Sequence, residues 1–151
     1  MSNNHEIHSD ALVLFGATGD LAFKKIFPAL YSMFKRGHAP FPIVGVSRGG
    51  SSLEDLKQRV RQSITELGGT LDERALGVLT ESLRYVDGDY RTLELFQKVK
   101  QTLGNARRPV YYLSIPPSAF ADVVEYLGRS GCSEGARVVV EKPFGRDLGS
   151  A

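Results

Sequence analysis

One cysteine in 151 residues excludes two classes of protein at once. Cys132 alone can build neither a disulfide framework nor a metal-ligand set, so the composition points to a reducing compartment. Histidine is scarce too: His5, His8 and His38 are the only three, and none is placed to activate that thiol, which reads as incidental. Charge of one sign is also missing. The formal net charge is +2 and the basic residues are spread along the chain, which argues against a nucleic-acid partner. No run of about 18 apolar residues exists, as a membrane-spanning helix would need. The first ten residues are polar and lack the apolar centre of a signal peptide. These absences lead us to expect a cytoplasmic protein that meets neither membrane nor nucleic acid.

What is present suits one soluble domain. Apolar residues make up 42% and charged residues 24% of the chain, ordinary globular values. A chain of this length buries roughly 70% of its unfolded surface. Residues 1–10 read as a disordered lead-in, 11–141 as the domain, and 142–151 as the start of a connection to something further.

The organising stretch runs from Ala11 to Tyr31. The apolar run 11–15 reads as a buried strand, Gly16-Ala17-Thr18-Gly19 as a glycine turn, and residues from about Asp20 to Lys35 as an amphipathic helix. Pro28 is awkward inside that helix, because it lacks an N–H and crowds the preceding turn; the helix must kink or restart there. Further apolar runs at 41–47, 83–86, 110–115 and 136–141 read as strands. The segments between them carry apolar residues at helical spacing. Ser51 with Glu54, and Thr70 with Glu73, read as capping boxes opening two helices between the second and third strands. Strands alternating with helices, and apolar on both faces, predict an α/β fold: a doubly wound parallel sheet covered on both sides. We read it as a Rossmann-like dinucleotide-binding domain.

In such a sheet ligands bind beyond the carboxyl ends of the strands, so the residues just past each strand carry the argument. After the first strand, Gly16 and Gly19 open a helix whose N-terminus suits a phosphate, with the Thr18 hydroxyl as a further donor. The full G-x-G-x-x-G pattern is absent, and two glycines three apart also arise in turns that hold no ligand. After the second strand stands Arg48, where NAD-binding folds usually carry an acidic residue for the ribose 2′-hydroxyl. A guanidinium binds a 2′-phosphate and stacks on adenine, which favours NADP over NAD; a solvated loop arginine is the plainer alternative. Asp87-Gly88 after the third strand permits close approach of a ligand, or is a plain turn. Ser114 to Pro117 forms a rigid wall on the nicotinamide side. Lys142, between Glu141 and Pro143, leaves the last strand where both cofactor and an anionic substrate could meet it.

Several segments together resemble glucose-6-phosphate dehydrogenase: Gly-Ala-Thr-Gly-Asp-Leu-Ala-x-Lys-Lys at 16–25, Ile-Val-Gly-Val-Ser-Arg at 43–48, Tyr-Val-x-Gly-x-Tyr at 85–90, Tyr-Leu-Ser-Ile-Pro-Pro at 112–117 and Val-Glu-Lys-Pro-Phe-Gly-Arg-Asp at 140–147. Singly each is weak; in this order and spacing they are specific and span nearly the whole chain. The resemblance implies oxidation of glucose 6-phosphate at C1, giving the lactone and NADPH. It maps the pyrophosphate loop onto Gly16, Ala17, Thr18, Gly19, Asp20 and Leu21, and the 2′-phosphate contact onto Arg48. It adds cofactor contacts at Asp87 and Gly88 and makes Lys142 a residue shared by cofactor and sugar phosphate. Lys25 and Pro143 match a lysine and a proline of the family pattern. For the intact enzyme it implies a homo-oligomer. The family's Arg-Ile-Asp-His-Tyr-Leu-Gly-Lys-Glu motif, which holds its catalytic histidine, does not occur here. No catalytic residue is therefore assigned, and the expectation is a cofactor domain that binds NADP without catalysing. Two alternatives stand beside it: a stand-alone NADP-binding module, and a sugar oxidoreductase of the glucose–fructose oxidoreductase and inositol dehydrogenase type. The latter type also places Glu-Lys-Pro after a late strand but keeps the full glycine pattern.

Overall fold

The structure, a computed structural model, describes residues 9–132 and 136–140. Five parallel strands form one sheet: β1 (Ala11–Phe15), β2 (Ile43–Ser47), β3 (Leu83–Asp87), β4 (Pro109–Leu113) and β5 (Arg137–Val140). Their spatial order is β3-β2-β1-β4-β5, the doubly wound arrangement expected. β1 is central, pairing Phe15 with Val46 on one side and with Leu113 on the other.

Side chains alternate across the strands, so each face collects its own core. Val13, Phe15, Val44 and Tyr111 pack beneath α4 (Leu93–Leu103) and α5 (Phe120–Arg129). Leu14, Ile43 and Leu83 pack on the other face beneath α1 (Phe27–Lys35), α2 (Leu53–Leu67) and α3 (Glu73–Glu81). Phe15 is the hub of the first core, with ring centroids 5.7 Å from Phe96 and 5.5 Å from Tyr90. Gly45 is required by close packing on the second face: a Cβ there would stand 2.7 Å from Leu56 Cδ2.

The helix after β1 neither breaks nor restarts at Pro28; it runs from Asp20 to Lys35 through a π-helical stretch. Residues Ala22–Ile26 form a π-helical turn, in which the Phe27 N–H reaches back to the Ala22 carbonyl. Pro28 stands second in α1, directly after that stretch, and its missing N–H is made good from outside the helix, by the Ser63 hydroxyl on the Phe23 carbonyl. The wider turn also relieves the clash of the proline ring with the preceding turn.

The caps differ from the expected boxes. The N-cap of α2 is Ser52, whose hydroxyl accepts from Asp55 N, one residue after Ser51. That of α3 is Asp72, whose carboxylate accepts from Ala75 N. Tyr31 causes the second shift, since its hydroxyl accepts from Asp72 N at 2.7 Å and donates to the Thr70 carbonyl. Thr70 thereby serves the loop rather than the helix.

Two further expectations change. Asp10, assigned above to the lead-in, belongs to the sheet end: its carboxylate accepts from Arg107 N and Arg108 N, each at 2.7 Å. Among the described residues the sheet is not covered on both sides throughout. Val138, Val139 and Val140 of the edge strand β5 are 37–42% exposed, because α5 packs over β1 and β4 instead. Cys132 is buried, with its Sγ donating to the Phe96 carbonyl, as suits a thiol with no chemical task. Among the described residues, no helix is long and apolar enough to cross a membrane, and no cluster of His, Cys, Asp and Glu could hold a metal.

Candidate functional site

β1 sits where the connections diverge, its helix going to one face and the helix after β4 to the other. The segments that leave the paired carboxyl ends of β1 and β4 therefore part, and a cleft of about 530 Å³ opens there. The glycine turn forms its floor. Gly16 adopts φ +87°, and a Cβ at this position would fall on the Ser114 carbonyl oxygen, so only glycine fits between β1 and β4. The N–H groups of Gly16 and Ala17 both donate to the Val46 carbonyl, and that of Gly19 to the Gly16 carbonyl. These bonds shape the turn, and among the described residues no carbonyl takes the Thr18 N–H.

The predicted site residues divide into groups. Gly16, Thr18, Gly19 and Arg48 line the cleft together. The Ala17 side chain is buried in the helix-α1 core and contributes backbone only. Asp20 is exposed and Leu21 half-buried at the start of the helical segment. Asp87 and Gly88 brace the wall behind the cleft: Asp87 Oδ1 accepts from Gly50 N at 3.0 Å, and Gly88 N donates to the Ser47 carbonyl at 3.1 Å. Lys142 lies outside the described residues, as do Lys142's neighbours Glu141 and Pro143. Ser114, Ile115 and Pro116 form the wall opposite Arg48, continued by Ser118 in the short 3-10 turn Pro117–Ala119.

The structure adds residues that the sequence reading passed over. The Arg48 guanidinium lies 5.5 Å from the centre of the Tyr90 ring, and the same ring meets Phe15 edge-on at 5.5 Å. Tyr90 thus carries the rigidity of the core into the site. Burial pushes its hydroxyl above the ordinary range, partly offset by the Gly16 backbone and Arg48. At the far rim Arg91 pairs with Asp122 at 3.4 Å, an exposed contact worth little by itself. From α2, Arg59 donates to the Gly19 carbonyl at 3.3 Å and stacks on Phe23 at 4.9 Å, tying the glycine turn to the helix behind it. An arginine one turn before buried Ser63 gives no sequence signal for that task. Tyr90, an aromatic just past a strand end, was within reach of one.

Chemically the cleft offers a hydroxyl and helix-start backbone in the middle, a cation with an aromatic backing on one side, and a proline-stiffened wall of mixed polarity on the other. A long ligand with a phosphate at its centre fits that order. A family model described as glucose-6-phosphate dehydrogenase, NAD binding domain, matches residues 13–151. The chain belongs to this family. It is 43% identical over 145 residues to glucose-6-phosphate 1-dehydrogenase 1 of Mycobacterium tuberculosis, covering 95% of this chain and 30% of that protein. The cytoplasmic glucose-6-phosphate 1-dehydrogenase 6 of Arabidopsis thaliana is 32% identical, over 93% of this chain and 31% of that one. Among solved structures, glucose-6-phosphate 1-dehydrogenase from Mycobacterium avium superimposes with TM-score 0.84 at 41% identity, covering 95% of this chain and 33% of that one. A glucose-6-phosphate dehydrogenase in complex with its substrate glucose-6-phosphate gives TM-score 0.79 at 32% identity, over 96% of this chain and 33% of that one. The chain therefore spans about a third of the length of these glucose-6-phosphate dehydrogenases.

Proposed function

We propose that the cleft binds NADP, and that this chain is the cofactor-binding part of an enzyme oxidising glucose 6-phosphate to 6-phosphogluconolactone. The observation that carries the cofactor is Arg48 at the carboxyl end of β2, lining the cleft beside the glycine turn and backed by Tyr90. There a carboxylate would repel a 2′-phosphate, whereas a guanidinium offers charge-assisted hydrogen bonds. The turn from Gly16 to Leu21 holds the pyrophosphate, with Thr18 exposed at its tip. The Ser114–Pro116 wall directs the nicotinamide, whose C4 accepts the hydride from the sugar C1 when bound. Lys142 is the residue we assign to both cofactor and sugar phosphate.

The isolated chain is proposed to bind without catalysing. Oxidation at C1 requires a base to take the hydroxyl proton. Among the described residues lining the cleft the only carboxylate is Asp122, paired with Arg91, and none is histidine. His38 lies just past the C-terminal end of α1, the helix that leads away from the cleft. The intact enzyme is read as a cytoplasmic homo-oligomer with glucose 6-phosphate as its small-molecule partner and no nucleic acid or membrane. The substrate in that reading is supported by the match of the family and by relatives named for the reaction.

The test is calorimetric titration of the chain with NADP, followed by an assay with glucose 6-phosphate. The expected result is a one-to-one isotherm and no NADPH above a protein-free control. Absence of binding overturns the cofactor reading, and NADPH formation overturns the assignment of catalysis elsewhere.

A further inference from the structure

Strand register brings three polar side chains to one point beside the cleft. Ser47 ends β2 and lies opposite Asp87, the last residue of β3, while Tyr85 precedes Asp87 by two and so shares its face. Tyr85 and Asp87 are half-buried and Ser47 is buried. The Tyr85 hydroxyl donates to Asp87 Oδ1 at 2.6 Å and lies 2.6 Å from Ser47 Oγ. A hydroxyl has one proton, so the Tyr85 proton goes to Asp87 and Ser47 must donate to the tyrosine oxygen. The same Oδ1 takes the Gly50 N–H at 3.0 Å, and Gly88 N holds the Ser47 carbonyl at 3.1 Å. The segment Ser47-Arg48-Gly49-Gly50 is thus held at both ends, with Arg48 between the two anchors. Its two glycines impose no conformation of their own. Burial, and then the neighbouring carboxylate, push the Tyr85 hydroxyl above its ordinary range, so it remains a donor.

We infer that Tyr85 and Asp87 are positioning residues that set the preference for a 2′-phosphorylated adenosine, by clamping the 47–50 segment and aiming Arg48. This deepens, and rests on, the reading that Arg48 meets the 2′-phosphate. It also gives Asp87 a different task from ligand contact: its Oδ1 is taken by two donors of the protein itself. The carboxylate charge is not what the clamp needs. An acceptor oxygen at that place is enough, which separates the clamp from simple electrostatics, since a negative charge near a 2′-phosphate only weakens its binding.

The experiment titrates the full chain with adenosine 2′,5′-bisphosphate and, separately, with 5′-AMP. The wild type is expected to favour the bisphosphate. Tyr85→Phe, which removes the shared hydroxyl, and Asp87→Ala, which removes the acceptor, should each lower the ratio of the two affinities about 5- to 10-fold, the scale of one ordinary hydrogen bond. Affinity for 5′-AMP should stay within about 2-fold, a split that general loosening of the fold would not produce. Asp87→Asn retains an acceptor and should keep or raise the ratio. Should Tyr85→Phe fail to fold, Ser47→Ala removes the hydroxyl that donates to the Tyr85 oxygen and must lower the ratio too. An unchanged ratio in the variants, or a loss in Asp87→Asn equal to that in Asp87→Ala, overturns the clamp alone. A wild type indifferent to the 2′-phosphate overturns the Arg48 reading and the clamp with it.

Discussion

The buried hydroxyl of Ser63 on α2 donates to the Phe23 carbonyl at 2.6 Å. That carbonyl would accept from residue 27 in an α-helix and from residue 28 in a π-helix. Phe27 N is committed to Ala22, and Pro28 has no N–H. Ser63 therefore supplies the donor that Pro28 lacks, and a contact between two helices repairs a local defect behind the glycine turn. Replacing Ser63 by alanine should cost about 1 kcal/mol, since the half-buried Phe23 carbonyl loses its donor. Pro28→Ala restores an N–H, so the double variant should lose less than the sum of the two singles. Urea denaturation of the four proteins checks this; strict additivity would contradict it.

Gly16 is the second point where geometry permits one residue. Its positive φ and the adjacent Ser114 carbonyl leave no room for a methyl group. Gly16→Ala must strain the backbone and push β1 from β4, so we expect a loss of at least about 1 kcal/mol together with loss of NADP binding. Retained stability and binding, read by melting and calorimetry, would show that the turn can shift.

Asp10 gives the fold a pH dependence. Burial raises its carboxyl pKa, but hydrogen bonds from Arg107 N and Arg108 N outweigh that and hold it below the ordinary range. A carboxylate depressed in the folded state contributes stability that is present above the unfolded value, near 3.9, and lost as pH falls through the folded value. Asp10→Asn should therefore melt lower than wild type at pH 7, with the gap closing below about pH 4. A gap independent of pH would assign the effect to packing.

Cys132 should resist thiol reagents in the folded chain. It is buried with its Sγ on the Phe96 carbonyl, and reactivity needs an exposed thiolate. Ellman's reagent is expected to react slowly in buffer and promptly in urea; prompt reaction in buffer would mean that the α4–α5 core opens readily.

Much of this architecture is legible in the sequence because strands buried on both faces appear as apolar runs. All five lie where those runs are, to within two residues at each described end. Caps are less legible. Ser51 and Ser52 offer the same chemistry, and the choice of Asp72 over Thr70 depends on Tyr31, far away in sequence. The uncovered valines of β5 escape a local pattern for the same reason, since which strand a helix covers is a tertiary outcome. At the site, Gly16, Thr18, Gly19 and Arg48 are visible as residues just past strand ends. Asp87 has that signature as well, but its partners Tyr85 and Gly50 come from register and loop closure. Tyr90 backs Arg48 only because the turn after β3 folds over Phe15.

The central claim is that Arg48 makes this an NADP site, and one comparison tests it most directly. Wild type and Arg48→Asp are titrated with NADP and with NAD at one ionic strength. The wild type should bind NADP about 10- to 100-fold more tightly than NAD, and Arg48→Asp should abolish or reverse that preference, chiefly through lost NADP affinity. Equal affinities in the wild type, or a preference that survives in Arg48→Asp, would contradict the account.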